Sequence, residues 1–302
     1  MSTTVLTSSR TRRRTGATLR TSRRRPRHTG AFVVLCLFSA ALLVPVVWTV
    51  STSLKPAGAV FSSGLSLWPT NATLDAYRSI FSSVPFGRYV FNSAVVTLAI
   101  VGFNVLFDSC AAYAFAKLRF RGSSLMFGAL LLTLMIPMQV NLIPLYRMMV
   151  WAHNQVPVLG ADTLSGIIAP SMVQVFGIFL MRQFFASIPD SLIEAARLDG
   201  AGEFAILRKI VLPVARPGIA TLAIFTFLGA WNNFLWPLIV SASDASRTLP
   251  VGLAALANKN TVNWPETMAG AVVTALPMVI IFLILQRQFI EGMTAGSVKD
   301  VA

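Results

Sequence analysis

The chain has 302 residues, 55% hydrophobic and only 12% charged, with 25 Lys and Arg against 11 Asp and Glu. That charged fraction is about half of the roughly 25% typical of soluble domains, which excludes an ordinary soluble domain, and the high hydrophobicity excludes a disordered chain. Two cysteines (Cys36, Cys110) and two histidines (His28, His153) are too few for a disulfide scaffold or a Cys/His metal cluster.

Residues 1–28 carry nine arginines and no acid. They read as a disordered, solvated tail that helps fix membrane topology rather than as an arm for nucleic acid or anionic lipid. Beyond the tail, six windows contain no Asp, Glu, Lys or Arg: 29–54, 89–107, 122–146, 163–181, 217–243 and 267–286. Each is long enough for a helix to cross a bilayer, which takes about 20 residues at about 1.5 Å rise. They are continuously apolar, whereas barrel strands would alternate. The predicted fold is therefore all-α, an integral membrane bundle of six transmembrane helices over 29–290. Ala57-Gly58-Ala59 resembles a signal-peptide cleavage site, but the first window exceeds a signal core and cleavage would leave five spans, so the first helix is kept. With the N-terminus inside, nineteen of the 25 Lys and Arg fall on the cytoplasmic side and six on the other. The positive-inside rule then puts both termini in the cytoplasm.

The link 55–88 is polar and broken by Pro56, Pro69 and Pro85. Short "KLRFR" (117–121) precedes the third window, and 147–162 holds Trp151, His153 and Asn154. His153 reads as a solvated loop residue. The segment 182–216 is the richest in charge after the tail. Ile188-Pro189 stops what precedes it, and Ser191-x-x-Glu194 has the spacing of a capping box, with Asp190 at the helix start. Asp190, Glu194 and Arg197 fall on one helical face. Small alanines would allow close approach by another protein. Gly200 supplies a left-handed stop, and a second short helix over about 203–211 is broken by Pro213 and Pro217 before the fifth span. Two short cytoplasmic helices joined at a glycine turn point to a docking device for a cytoplasmic partner.

Glu194-Ala195-Ala196, Gly200 four positions after Ala196, then Ile210-x-Leu212-Pro213 resembles the EAA loop of ABC importer permeases, with matching spacing. The resemblance implies that 187–213 is the coupling loop seated in a cleft of the ATPase, with Glu194 in polar contact there and Asp199, Gly200, Ile210, Leu212 and Pro213 completing the motif. "AAYAFAKLRFRG" (111–122), "MIPMQVNLIPLY" (135–146), "WNNFLWPLIV" (231–240), "RTLPVGL" (247–253) and "QRQFIEGMTAGSVK" (286–299) are similar to the second, shorter permease subunit of maltose-type carbohydrate importers. Asn233 stands where an acidic residue is the commoner pattern. The family implies a heterodimer with a second permease, an ATPase dimer, an extracytoplasmic solute-binding protein, a sugar substrate and a bacterial cell membrane. The 257–264 loop would approach the binding protein, and the cytoplasmic tail 291–302, through "EGMTAGSVK", would reach the ATPase interface. A permease for glycerol-phosphate esters is the alternative of the same kind.

A sugar path needs hydrogen-bonding side chains and an aromatic face. Trp231, Asn232, Asn233 and Trp236 offer both, with Asn232 and Trp236 on one face if helical; interhelical packing is the competing reading. Gln139 and Asn141, beside Pro137 and Pro144, are similar candidates. Asp108 is the only acid within a helical stretch. It is either a functional intramembrane carboxylate, as an ion-driven carrier would need, or a partner of Arg119 or of another helix. There is no G-x-x-x-x-G-K-[ST] loop. ATP and Mg are thus expected at a separate ATPase, no cofactor or metal is expected on this chain, no catalytic residues are assigned, and nucleic acid is not expected as a partner.

Overall fold

A computed structural model of the chain describes residues 29–60, 67–69, 71–257 and 263–294, with side chains between 30 and 286 in those ranges. The basic tail 1–28, the centre of the 257–264 loop and the last residues of the C-terminal tail lie outside the described residues. Every regular element is helical, and no β-strand occurs among the described residues. Residues up to Val44 form one compact unit and those from Pro45 onward a second. Helix α1 (Thr29–Ser53) begins in the first. From Gly30 to Val44 every side chain is exposed, an apolar surface on all sides that suits lipid rather than water.

In the second unit, the polar link contains α2 (Asp75–Ser83), a helix the proline-broken composition had not suggested. It forms because Ala76 and Ile80, four apart, share one apolar face. That face packs with Phe86, Tyr89, Leu249, Leu256 and Ala269. Next comes α3 (Phe86–Lys117), unbroken over 32 residues. The third to fifth windows are not single straight helices. α4 (Ser123–Leu132) and α5 (Met138–Gln155) belong to arms bent by 98°. α6 (Leu164–Ile168) and α7 (Val175–Ala186) lie in arms bent by 46°. After α8 (Asp190–Leu198), a run made of α9 (Glu203–Ile206), a π-helical stretch Leu207–Val211 and α10 (Leu212–Val214) meets α11 (Arg216–Trp231) at 83°. α12 (Leu235–Val240), α13 (Leu249–Ala257) and α14 (Trp264–Thr294) complete the chain. Among the described residues, three helices are long and apolar enough to cross a membrane singly, and up to six spans are counted by length and composition if each bent pair is one.

Proline chemistry accounts for the first bend. Pro137 is extended (φ −60°, ψ 135°), and Ile136 before it is held out of the helical region (φ −84°, ψ 114°). Pro144, by contrast, is accommodated inside α5, which continues to Gln155. Trp151, His153 and Asn154 are thus helical rather than link residues, and His153 is half-buried instead of solvated. Likewise α14 carries on to Thr294, so the C-terminal tail begins as helix.

Side chains of α3 serve the backbone that these breaks set free. Asn104 Nδ2 donates to Ser171 O at 2.7 Å, and Asp108 Oδ1 accepts from the Gln174 amide at 3.0 Å, just where α7 begins. Thr226 of α11 donates to Asn104 Oδ1 at 3.4 Å. Asp108 is 0% exposed, and a Cβ at Gly177 would fall 2.0 Å from its Oδ2. The carboxylate therefore caps a helix across a close α3–α7 contact rather than pairing with Arg119. Irregular backbone deep in a membrane protein needs such internal partners. Near the other end of α3, Asn92 Nδ2 donates to Ala245 O (3.0 Å) and Arg247 O (2.8 Å), Ser93 Oγ accepts from the Leu249 amide (2.7 Å), and Tyr89 OH donates to Asp244 Oδ1 (2.7 Å).

Candidate functional site

The hairpin after α7 is built from a proline, a glycine and one buried apolar face. Pro189 is extended (φ −58°, ψ 134°) and α8 starts directly at Asp190, with no side-chain cap. Ser191 therefore lies inside the first turn, and the capping box expected from Ser191 and Glu194 does not form. The entry to the helix is instead fixed from outside the hairpin. Lys117 Nζ, at the end of α3, donates to Ile188 O and to Asp190 Oδ1, each at 2.6 Å. The Lys117 hydrogen bond and charge hold the Asp190 carboxyl below the usual carboxylate range.

Ile193 and Ala196 form the inner face of α8. They pack into a cluster with Tyr113, Met181, Phe185, Ile206, Leu207 and Val211. Of the two adjacent alanines only Ala195 faces outward, next to exposed Leu192, Glu194 and Asp199 and to Leu198, which is 89% exposed. The helix closes with a Schellman arrangement. Gly200 N–H donates to Arg197 O and Ala201 N–H to Ala196 O, both at 3.0 Å, with Gly200 at φ +80°. A residue with a Cβ would be strained at that φ.

Across the turn, Arg197 Nε donates to Glu203 Oε1 at 2.8 Å, and Tyr113 OH of α3 donates to Glu203 Oε2 at 2.5 Å. Glu203 thus joins both arms of the hairpin to α3. Its position at the start of the second arm was visible in the sequence, but its partner 90 residues earlier was not. A polar cleft of about 410 Å³ opens beside α8, lined by Lys117, Arg119, Asp190, Glu194, Arg197 and Glu203 among others. The shared face expected for Asp190, Glu194 and Arg197 is the wall of this cleft.

The second half of the motif faces inward. Ile210 and Leu212 are half-buried against the same cluster, while Pro213 is exposed. Pro213 does not end the helix. The π-helical stretch Leu207–Val211 immediately precedes it, and the Leu212 amide reaches back to Leu207 O. A regular helix would press the proline ring on the carbonyl of Lys209, and a widened turn relieves that contact. The run ends two residues later at Ala215, and Pro217 sits in the first turn of α11.

The remaining predicted residues separate into two groups. Trp231 is buried, stacked on Phe227 with centroids 5.7 Å apart, and its Nε1 donates to Thr274 O at 2.9 Å. Trp236 is 0% exposed and donates to Gly166 O at 3.1 Å. Both indoles are therefore spent on packing, with their polar tips satisfied inside the chain. Because α11 ends at Trp231 and α12 begins at Leu235, Asn232 and Trp236 do not share a helical face. Asn232 is exposed and Asn233 half-buried; Gln139 and Asn141 are exposed on the first turn of α5. α12 meets α5 through Trp236, which clusters with Leu142, Leu145 and Met149. Among the described residues no group of His, Cys, Asp or Glu could hold a metal ion.

Helices of membrane-crossing length and composition, with a hairpin tied to them by charges and an apolar edge left outside, are the build of a transporter's membrane component. The sequence profile of the family described as "Binding-protein-dependent transport system inner membrane component" matches residues 109–294, which include the whole hairpin. The chain belongs to this family, and so is a transport permease of a bacterial membrane and not an enzyme. It is 36% identical over 258 residues to the arabinooligosaccharides transport system permease protein AraQ of Halalkalibacterium halodurans, covering 84% of this chain and 90% of that one. It is 34% identical over 214 residues to the sn-glycerol-3-phosphate transport system permease protein UgpE of Yersinia enterocolitica, covering 70% and 74%. A chain of a bacterial ABC transporter involved in the import of the acidic polysaccharide alginate superposes with a TM-score of 0.77 at 25% identity, covering 86% of this chain and 95% of that one.

Proposed function

We propose that this permease forms half of the translocation path of an ATP-driven, binding-protein-dependent importer of a sugar or oligosaccharide. In this reading the chain crosses the bilayer six times, the third and fourth times as the bent pairs α4–α5 and α6–α7 and the fifth through α11 and α12, and the excess of Lys and Arg on one side places both termini in the cytoplasm. ATP and Mg act on a separate ATPase dimer, a second permease completes the path, and an extracytoplasmic protein delivers the solute. The observation that carries the reading is the hairpin. Leu192, Ala195 and Leu198 form an outward apolar edge beside Glu194, while Ile193 and Ala196 lock the inner face to the chain. A helix built this way transmits a push instead of yielding to it. Ile210, Leu212 and Pro213 shape its second arm, and Asp199 and Gly200 set the turn.

The solute path is lined by Gln139, Asn141, Asn232 and Asn233, whose amides match sugar hydroxyls. Trp231 and Trp236 hold the walls from behind. Asp108, on which an ion-driven carrier would depend, is committed to the start of α7. Glycerol-phosphate esters are the second reading, favoured by the similarity to UgpE.

Glu194→Ala and Gly200→Asp are expected to abolish uptake and the stimulation of ATPase activity by the binding protein, at normal membrane levels. Persistence of uptake in both variants would sink the coupling assignment. Thermal shift of the cognate binding protein with oligosaccharides against sn-glycerol-3-phosphate separates the two solute readings.

A further inference from the structure

A second cleft adjoins the one beside α8, sharing Leu118 and Arg119 with it, and opens toward α4 instead of toward the hairpin. It measures about 830 Å³ and runs from Leu118 to Leu125, with Phe127 and Arg182 on its far wall. Three guanidinium groups line it: Arg119, Arg121 and Arg182. None of them forms an ion pair among the described residues. Arg119 lies near enough to Asp190 for its charge to lower that carboxyl, but the ion pair of Asp190 is with Lys117. Arg182 is fixed in place, its Nε on Phe115 O at 3.3 Å and its guanidinium 4.3 Å above the Phe127 ring. That leaves its terminal nitrogens free of a carboxylate and pre-oriented.

Gly122, in the left-handed region at φ +84°, turns the chain into α4 at the floor of this cleft. The turn is closed by the Ser123 amide, which donates back to Phe120 O at 3.3 Å. Directly along α4 the surface changes character. Leu125 is 80% exposed and Met126 and Leu132 are exposed as well. A concentration of positive charge thus adjoins an apolar strip at the point where a charge-free window begins. A free anion would use the arginines and ignore the strip, and a protein's acidic surface would not call for it.

We infer that Arg119, Arg121 and Arg182 form a binding site for the phosphate of an anionic phospholipid, whose acyl chains lie along α4. The arginines would make charge-assisted, two-pronged hydrogen bonds to the phosphate oxygens. A lipid seated here would brace the 118–122 link, which leads directly from Lys117 and hence from the hairpin. The inference needs α4 to lie in the bilayer but does not depend on which solute is carried.

The test uses the full chain, purified in detergent and titrated with dioleoyl phosphatidylglycerol or dioleoyl phosphatidylcholine, with bound lipid read by native mass spectrometry. Arg119→Gln combined with Arg121→Gln alters two exposed residues and should leave the fold intact by circular dichroism. It is expected to weaken phosphatidylglycerol binding about 25-fold, or about fivefold per arginine. Arg12→Gln combined with Arg13→Gln, which removes equal charge from the tail, should change little. Arg182→Lys should weaken binding while keeping the charge. The site is refuted if the tail pair weakens binding as much as the groove pair, if phosphatidylcholine binds as well as phosphatidylglycerol, or if inorganic phosphate displaces the lipid.

Discussion

At its C-terminal end α3 holds the hairpin through Lys117 and Tyr113, whose acidic partners Asp190 and Glu203 face water, with side chains 67% and 44% exposed. At its N-terminal end Tyr89, Asn92 and Ser93 grip the segment 244–249 mostly by its backbone. That segment is gripped from a second direction. Asp162, at φ +55°, accepts from the Ala242 and Ser243 amides and from the hydroxyls of Ser243 and Ser246. One helix therefore ends in two kinds of fastening. The fastening at the N-terminal end, made mostly to backbone amides and carbonyls, orders an irregular segment that has no helix of its own to serve them. The one at the C-terminal end, made through ion pairs and a Tyr–Glu hydrogen bond, holds a preformed helical hairpin in position.

That contrast is open to direct attack, beginning with the largest effect. Asp162→Ala strands four donors, and thermal unfolding in detergent should show a loss of about 3 kcal/mol. Burial alone pushes the Asp162 carboxyl up, but the hydrogen bonds from Ser246, Ser243 and Ala242 outweigh it and hold it below the usual range. A group with a depressed folded value contributes stability above its ordinary value, and that contribution is lost as pH falls through the depressed one. The gap between wild type and Asp162→Asn should therefore close below about pH 4, and a gap constant down to lower pH would break the assignment. Asn92→Leu, which leaves the Ala245 and Arg247 carbonyls unpaired, should lower stability by about 2 kcal/mol and respond little to salt. Lys117→Met should lower it less, by about 1 kcal/mol, yet impair transport more than Asn92→Leu does. Its effect on stability should shrink in about 0.5 M salt, and equal salt sensitivity in both variants would erase the distinction between the two ends. Arg197→Gln comes last, with the smallest change in thermal unfolding, because both partners of that pair are well exposed.

Features governed by neighbours in sequence were legible in residue order. The charge-free windows, the stop at Gly200 and the common face of Asp190, Glu194 and Arg197 all depend on spacing within a turn or two. Bends were harder, because proline has two outcomes: Pro137 ends an arm, whereas Pro144 and Pro213 are absorbed within helices. Ser191 and Glu194 had the spacing of a cap, but after extended Pro189 the helix starts two residues earlier, at Asp190, whose carboxylate Lys117 holds. The indoles of Trp231 and Trp236 looked available because their acceptors, Thr274 O and Gly166 O, are 43 and 70 positions away. Asp108 was legible as unusual, while its partner, a backbone amide at Gln174, carries no residue signature at all.

The junction between Asn104, Asp108 and the bent α6–α7 pair has a mechanical corollary. Straightening that span would return the Gln174 amide to its own helix and leave a carboxylate and a carboxamide marooned in an oily interior, so the elbow is welded rather than sprung. Since Thr226 ties α11 to the same weld, α3, α7 and α11 are pinned to one another at a single block.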